Sequence, residues 1–349
     1  MTLEEIKIRR LTNQYLINPS DKITVVKDLC GIQAQFLSNA IHSLKIRCSD
    51  FDEETVKCGL VKNWTVRGTV HIFAETDLSL FIHCDNGKSY HSSDWRGHTF
   101  WNQRDKWALS PKRQGFFSEV ILAALKEKPC SRDELKEICK SNGMTEAEEG
   151  SMFDPWGGGI RELCERGFMN YTVSEKKEYC LSPPFEPIPE EEAKLEIARR
   201  YFTNIAPATI HDAMYYFHAT ATQVKKWLLQ LPVKTAECNG KEYFYIENNK
   251  SYNESLPKCL FLAGFDQLML GYEKKESLFL NSDNLRDIFN LAGIVMPAVM
   301  IDGQVVGKWK RKGKRVDVIL FSKLKSKEKK AVKDKAEEIW GDITAVGIL

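Results

Sequence analysis

Three times along this 349-residue chain a series of helical signals ends in two short extended segments. The third series is the clearest. Residues 190–204 read as a helix, and 209–217 and 222–231 as two more, split by His218-Ala219-Thr220-Ala221. Strands at 233–237 and 242–246 then flank Asn239-Gly240, a dipeptide suited to a type I′ hairpin. The second series has a helix at 117–126 and a capping box, Ser131-Arg132-Asp133-Glu134, opening a helix that ends at Gly143. A third helix ends near Arg166-Gly167, and strands follow at 168–173 and 178–181. In the first series an amphipathic helix at 3–16 precedes one at 21–30, with Ser20 as N-cap and Gly31 as left-handed stop. A short helix at 52–61 leads into an extended run at 64–73.

Helices closed by a β-ribbon outline a winged helix, so the chain reads as an α+β fold of three tandem winged-helix modules. Pro183-Pro184-Phe185-Glu186-Pro187 belongs to a stiff linker at 183–189. After Pro257 the texture is β-rich: strands at 260–262, 278–280, 295–301, 304–309 and 315–321, then a helix at 326–340. That suggests a small barrel-like scaffold. The expected modules are 1–114, 115–189 and 190–256, on a C-terminal β-domain at 257–349. Within 75–114 a helix is expected near 75–85, and the run Trp95-Arg96-Gly97-His98-Thr99-Phe100-Trp101 is either core, the favoured reading, or a stacking platform.

Ten scattered cysteines, with no Cys-x-x-Cys pair, argue against zinc and disulfides and for the cytoplasm. No apolar run is long enough to cross a membrane. The net charge of +2 hides a segregation. Residues 308–335 carry 13 Lys and Arg against 3 Asp and Glu, whereas 144–192 carry 12 acidic against 4 basic residues. A local basic surface suits a polyanion, although a lysine-rich terminal helix is also a solvated face.

Two stretches carry candidate chemistry. Gly31-Ile32-Gln33-Ala34-Gln35-Phe36 sets two glutamines around one alanine, just past a helix end. Residues two apart share a face only on extended or irregular backbone, which Gly31 permits. On spacing alone both amides are also ordinary polar groups at a helix start. Lys308-Trp309-Lys310-Arg311-Lys312-Gly313-Lys314-Arg315 reads as the tip of a hairpin, with Lys312-Gly313 at the reversal. Six cations on so short a hairpin repel each other. It is either a solubilising edge or a grip on phosphates.

Five segments in order resemble the winged-helix DNA glycosylases of the AlkZ and YcaQ type: GIQAQ at 31–35, NWTVRGTVHIF at 63–73, ARRYF with PATIHDAMYYF at 198–217, LFLAGFDQLMLGYEKK at 260–275 and MPAVMIDGQVVGKWKR at 296–311. The resemblance implies three winged helices on a β-domain, C-shaped around DNA. It also implies a catalytic Gln-x-Gln at Gln33 and Gln35, as in the AlkZ branch, whose activity is excision of bulky alkylated purines, including interstrand crosslinks. In the family the hairpin at Lys308, Lys310, Arg311, Lys312, Lys314 and Arg315 enters a DNA groove.

Two amides suit such a substrate. A purine alkylated at N7 is already cationic and leaves without a general acid. Placing a water on the sugar carbon and facing the developing cation with amide dipoles then remains, and needs no metal or cofactor. Arg67 and His71 are possible substrate contacts, His71 being equally a hydrogen-bonded structural residue, and Asp266 is either a site or a scaffold carboxylate. The expectation is a monomeric, metal-free, monofunctional glycosylase acting on double-stranded DNA with alkylated purines. The alternative is a non-enzymatic winged-helix regulator.

Overall fold

The computed structural model of the chain describes residues 1–65, 67–82, 107–155 and 157–349. The aromatic run at 95–101 and the end of the helix expected at 75–85 lie outside the described residues. The chain divides into two compact units, one made of Met1–Val56 with Ile197–Leu349 and the other of Lys57–Glu196.

The first unit begins with α1 (Leu3–Asn13), opened by a capping box between Thr2 and Glu5. It ends before the expected residue 16 because Tyr15 turns left-handed, φ 61°. The next helix, α2 (Lys22–Asp28), is capped by Asp21 rather than Ser20. Its C-terminus is a Schellman arrangement. Cys30 and Gly31 have φ of 55° and 80°, and their amides donate to the carbonyls of Lys27 (3.1 Å) and Val26 (2.8 Å). A two-residue strand, β1 (Ile32–Gln33), and helix α3 (Leu37–Lys45) follow. Residues 53–59 form turns instead of the expected helix.

In the second unit, β2 (Leu60–Trp64) and β3 (Val70–Ala74) form an antiparallel hairpin. The run expected to be extended from 64 to 73 therefore reverses on itself, around Gly68 with φ 71°. Then come α4 (Leu78–Phe81), α5 (Pro111–Glu127), β4 (Cys130–Ser131), α6 (Arg132–Ser141), α7 (Glu146–Met152), α8 (Gly158–Glu165), β5 (Met169–Tyr171) and β6 (Glu178–Leu181). The Ser131–Glu134 capping box forms as expected. Helix α7, which no sequence signal above announces, is opened by a second box, Thr145 with Glu148. The two hairpins join through Lys62 opposite Tyr171, giving the strand order β3-β2-β5-β6-β4. Buried Asn63 holds the junction, donating to the Cys164 carbonyl (2.9 Å) and to Asn170 Oδ1 (2.6 Å). Phe117, Ile121, Leu135, Leu163 and Met169 lie at the centre of this unit's core.

The chain continues through α9 (Glu190–Asn204), α10 (Ile210–Phe217), α11 (Ala221–Leu228), β7 (Lys234–Cys238) and β8 (Lys241–Tyr245). Asn239 and Gly240 have φ of 50° and 73°, both positive as a type I′ turn requires. Next are β9 (Cys259–Leu262), α12 (Gln267–Leu270), α13 (Leu285–Ile288), β10 (Ala298–Ile301), β11 (Gln304–Lys312), β12 (Arg315–Leu320), α14 (Ser326–Ile339) and β13 (Ala345–Ile348).

The expected barrel is instead an open sheet in the order β13-β12-β11-β10-β9. Its edge strands have four residues each, too short to tilt and close. Helix α14 covers one face through Val332, Ala336 and Trp340. Residues 278–280 are a bend rather than a strand, while β13, parallel to β12, is an addition to the expected strands. Among the described residues no helix is long and apolar enough to cross a membrane.

Candidate functional site

A short strand running into a helix N-terminus recurs in this chain. It occurs at β4–α6 and again at α10, where Ala208 bridges to Phe244. Both helices open with a hydroxyl in a capping box, Ser131 with Glu134 and Thr209 with Asp212. Between β1 and α3 the step is Gln33-Ala34-Gln35-Phe36, and Phe36 occupies the N-cap with no side-chain hydrogen bond. Losing such a cap costs about 1 kcal/mol. Other helices also lack a side-chain cap, at Asp77, Gly157 and Asn284, but each of those N-caps is a small or polar residue, whereas here it is an exposed phenylalanine.

The two amides sit at different depths. Gln33 lies in the short strand at 8% exposure, Ala34 is fully buried, and Gln35 is exposed at the bend before α3. Among the described residues neither side-chain amide has a hydrogen-bond partner. Each keeps a carbonyl acceptor and two N–H donors for a group outside the chain.

Helix α3 fixes the position of the pair. At its C-terminal end Arg47 is fully buried and grips Asp266, Nη2 to Oδ1 at 2.7 Å and Nη1 to Oδ2 at 3.0 Å. Arg47 also donates to the Gln14 carbonyl (3.0 Å) and Ser43 Oγ (2.9 Å). Asp266 accepts from the Leu268 amide (2.9 Å) at the start of α12. Its carboxylate is therefore fully engaged inside the scaffold. Halfway along α3, His42 Nε2 lies 2.8 Å from the Phe261 carbonyl, so it carries the ring hydrogen. The ring stacks on Trp340 (centroids 5.3 Å, planes 18° apart) and meets Trp309 at 4.9 Å. Burial pushes its pKa down to about 4, so His42 is neutral near pH 7. No spacing rule exposes this cluster, because His42 and Phe261 are 219 residues apart.

Trp309 belongs to the basic hairpin. Lys312 pairs with Arg315, so Gly313 and Lys314 form the two-residue turn, with Gly313 at φ 58°. Val305, Gly307, Trp309, Val316 and Val318 are buried on one face. The six cations divide into two groups. Lys308 pairs with Asp287 (3.5 Å), Arg311 with Asp342 (2.6 Å) and Arg315 with Asp317 (2.7 Å). Lys310, Lys312 and Lys314 are exposed and have no carboxylate partner among the described residues. The sequence does not separate them, since Asp287 lies in α13 and Asp342 in the turn after α14; Asp317 alone is a local partner, two residues from Arg315 on β12.

Arg67 and His71 belong to the second unit. His71 is fully buried at the start of β3. Its Nδ1 is 3.0 Å from the Thr69 carbonyl, which only accepts, so Nδ1 carries the hydrogen. Nε2 then accepts from Arg67 Nη1 at 3.3 Å. Burial, with Arg67 adding to it, pushes the His71 pKa down to about 3. Both ring nitrogens are engaged and the ring is neutral, an arrangement that orients Arg67 in the hairpin turn. Among the described residues no cluster of three or more His, Cys, Asp or Glu is placed to hold a metal ion.

A family model described as DNA glycosylase AlkZ-like matches residues 26–340. An interstrand DNA cross-link repair glycosylase of Streptomyces sahachiroi is 24% identical over 337 residues, covering 90% of this chain and 89% of that protein. The solved structure of Streptomyces sahachiroi DNA glycosylase AlkZ superposes with a TM-score of 0.78 at 22% identity, over 100% of both chains.

Proposed function

The chain belongs to the AlkZ-like DNA glycosylase family, and from that premise we propose that it excises cationic alkylpurines of the 7-alkylguanine type, interstrand crosslinks among them. It is a DNA repair glycosylase, a monofunctional enzyme that hydrolyses an N-glycosidic bond. The family does not favour a non-enzymatic regulator. The observation that carries the substrate proposal is the glutamine pair, two amides without partners among the described residues at an uncapped strand-to-helix step. Amides do not protonate a leaving group. They suit a base that already carries a positive charge, for which a positioned water and a favourable dipole are enough. The similarity to a cross-link repair glycosylase supports extending the substrate to crosslinks.

Three winged-helix modules on the C-terminal sheet would supply the DNA-binding frame. The pairing of β4 with β6, and the isolated bridge between Ala208 and Phe244, support the second and third modules, each joining a helix start to its hairpin. A cytoplasmic monomer fits this role, and no disulfide joins the described cysteines.

Incubating the protein with duplex containing 7-methylguanine, followed by alkali, should give strand cleavage at the lesion and none in undamaged duplex. Intact strands with 7-methylguanine and with bulkier N7 adducts alike would overturn the substrate assignment.

The hairpin provides a second test. Lys310, Lys312 and Lys314 hold backbone phosphates, whereas the paired Arg311 and Arg315 shape the turn. Replacing those three lysines with alanine should weaken binding to damaged and undamaged duplex equally. It should also flatten the slope of log affinity against log salt by up to about 0.9 for each phosphate no longer held. An unchanged slope would show that the hairpin does not touch the backbone.

A further inference from the structure

We infer that Phe36 is a base-stacking residue, its exposed ring taking the face of a nucleobase beside the excised purine. The inference rests on the glycosylase function above, which brings DNA to the adjoining Gln35. Three independent features of the chain point to it.

The ring is 48% exposed, and among the exposed large apolar side chains described only Phe36 and Phe116 are phenylalanines. Phe36 also stands at an N-cap where the two like steps of the chain place a hydroxyl, Ser131 and Thr209. A phenyl ring gives nothing to the cap and faces water, so neither helix stability nor core packing accounts for it.

The third feature is what lies behind it. Phe36 stacks on Phe265, centroids 6.0 Å apart and planes at 27°. Phe265 is buried and left-handed, φ 57°, a conformation that a bulky residue rarely adopts. The surrounding chain enforces it. The Phe265 amide donates to the Val295 carbonyl at 3.1 Å. On one side a Cβ at Gly264 would come within 2.7 Å of the Asn39 amide. On the other, Asp266 is clamped by Arg47. An exposed phenyl ring normally swings onto the nearest apolar surface. Here one side is already filled by the buried Phe265 ring, so Phe36 is backed as a platform. Stacking on an aromatic side chain tolerates any base, because every base has a π-face. That suits an enzyme whose lesion can occur in any sequence context.

The test uses the full chain and a duplex with 2-aminopurine next to a single 7-methylguanine, read by single-turnover excision and by fluorescence on binding. Phe36→Ala and Phe36→Leu should each slow excision by about 5- to 150-fold, the range of one missing base–aromatic stack. Both should remove the fluorescence change, while Phe36→Trp keeps rate and signal near wild type. Melting temperatures of all three should stay within a few degrees of wild type, since the ring is half outside the fold. Wild-type rate and fluorescence in Phe36→Ala would overturn the inference. So would full rescue by leucine, which would make the side chain a plain apolar filler. Should the wild-type protein release no base, the fluorescence change on binding still decides the stacking interaction, and the failure belongs to the substrate assignment alone.

Discussion

Alanine at Gln33 or Gln35 is expected to lower the single-turnover rate of base release by about a hundredfold, a loss that a misplaced reacting group can cause. Affinity for the damaged duplex and melting temperature change little. This separation follows from the structure: neither amide supports the fold through a hydrogen bond among the described residues, so neither leaves a partner stranded when it is removed. The two variants differ in one respect. Gln33 is nearly buried, and its truncation leaves a small void, whereas Gln35 is exposed and its truncation leaves none. A slightly lower melting point is therefore expected for the Gln33 variant alone. Parallel loss of folding and activity in both would identify the amides as structural.

Asp266→Asn should instead lose stability and activity together. The carboxylate and Arg47 are both fully buried, and removing one charge of such a pair leaves the other uncompensated, a loss of about 3–5 kcal/mol. The denaturation midpoint should fall accordingly, and base release should fall with it, because the loop carrying Phe265 and the helix following the glutamines lose their common anchor. A loss below about 1 kcal/mol would mean that water reaches Arg47 and that the pair is not the anchor described. Comparing Gln35→Ala with Asp266→Asn thus separates chemistry from scaffold at the two ends of helix α3.

Local features are legible in the sequence where the signal is local. Asn239-Gly240 dictates its turn, and the Ser131–Glu134 box opens the helix it promises. A Schellman end does form at Gly31, with Cys30 also in the left-handed region, a position assigned from sequence to the glycine alone. The short run Leu278-Phe279-Leu280 misleads because apolar residues there are buried without pairing: Phe279 is fully buried in a bend. The second hairpin arm at 70–74 shows in the pattern, but its first arm does not, since Leu60 and Val61 continue a helical spacing. The glutamine pair is visible as a motif. Its surroundings are not. Arg47 meets Asp266 from 219 residues away, and Arg311 is tied to Asp342, 31 residues on, by a contact that periodicity does not encode. Only the Arg315–Asp317 pair, two residues apart on one strand, is local.

The rings around His42 join two things that a repair enzyme must keep in register. Helix α3 starts at the glutamine pair, and its His42 lies against Trp309, three residues from the end of the strand that leads into the hairpin turn. Trp309 Nε1 donates to the Leu262 carbonyl at 2.8 Å, and Trp340 closes the stack from the terminal helix. No flexible tether lies between the motif and the lysines. With the glutamines at the severed bond and the lysines on phosphates, as proposed, the span between them would be a constant of the molecule, as on a caliper, and a lesion would meet the glutamines only with the hairpin at one offset along the strand.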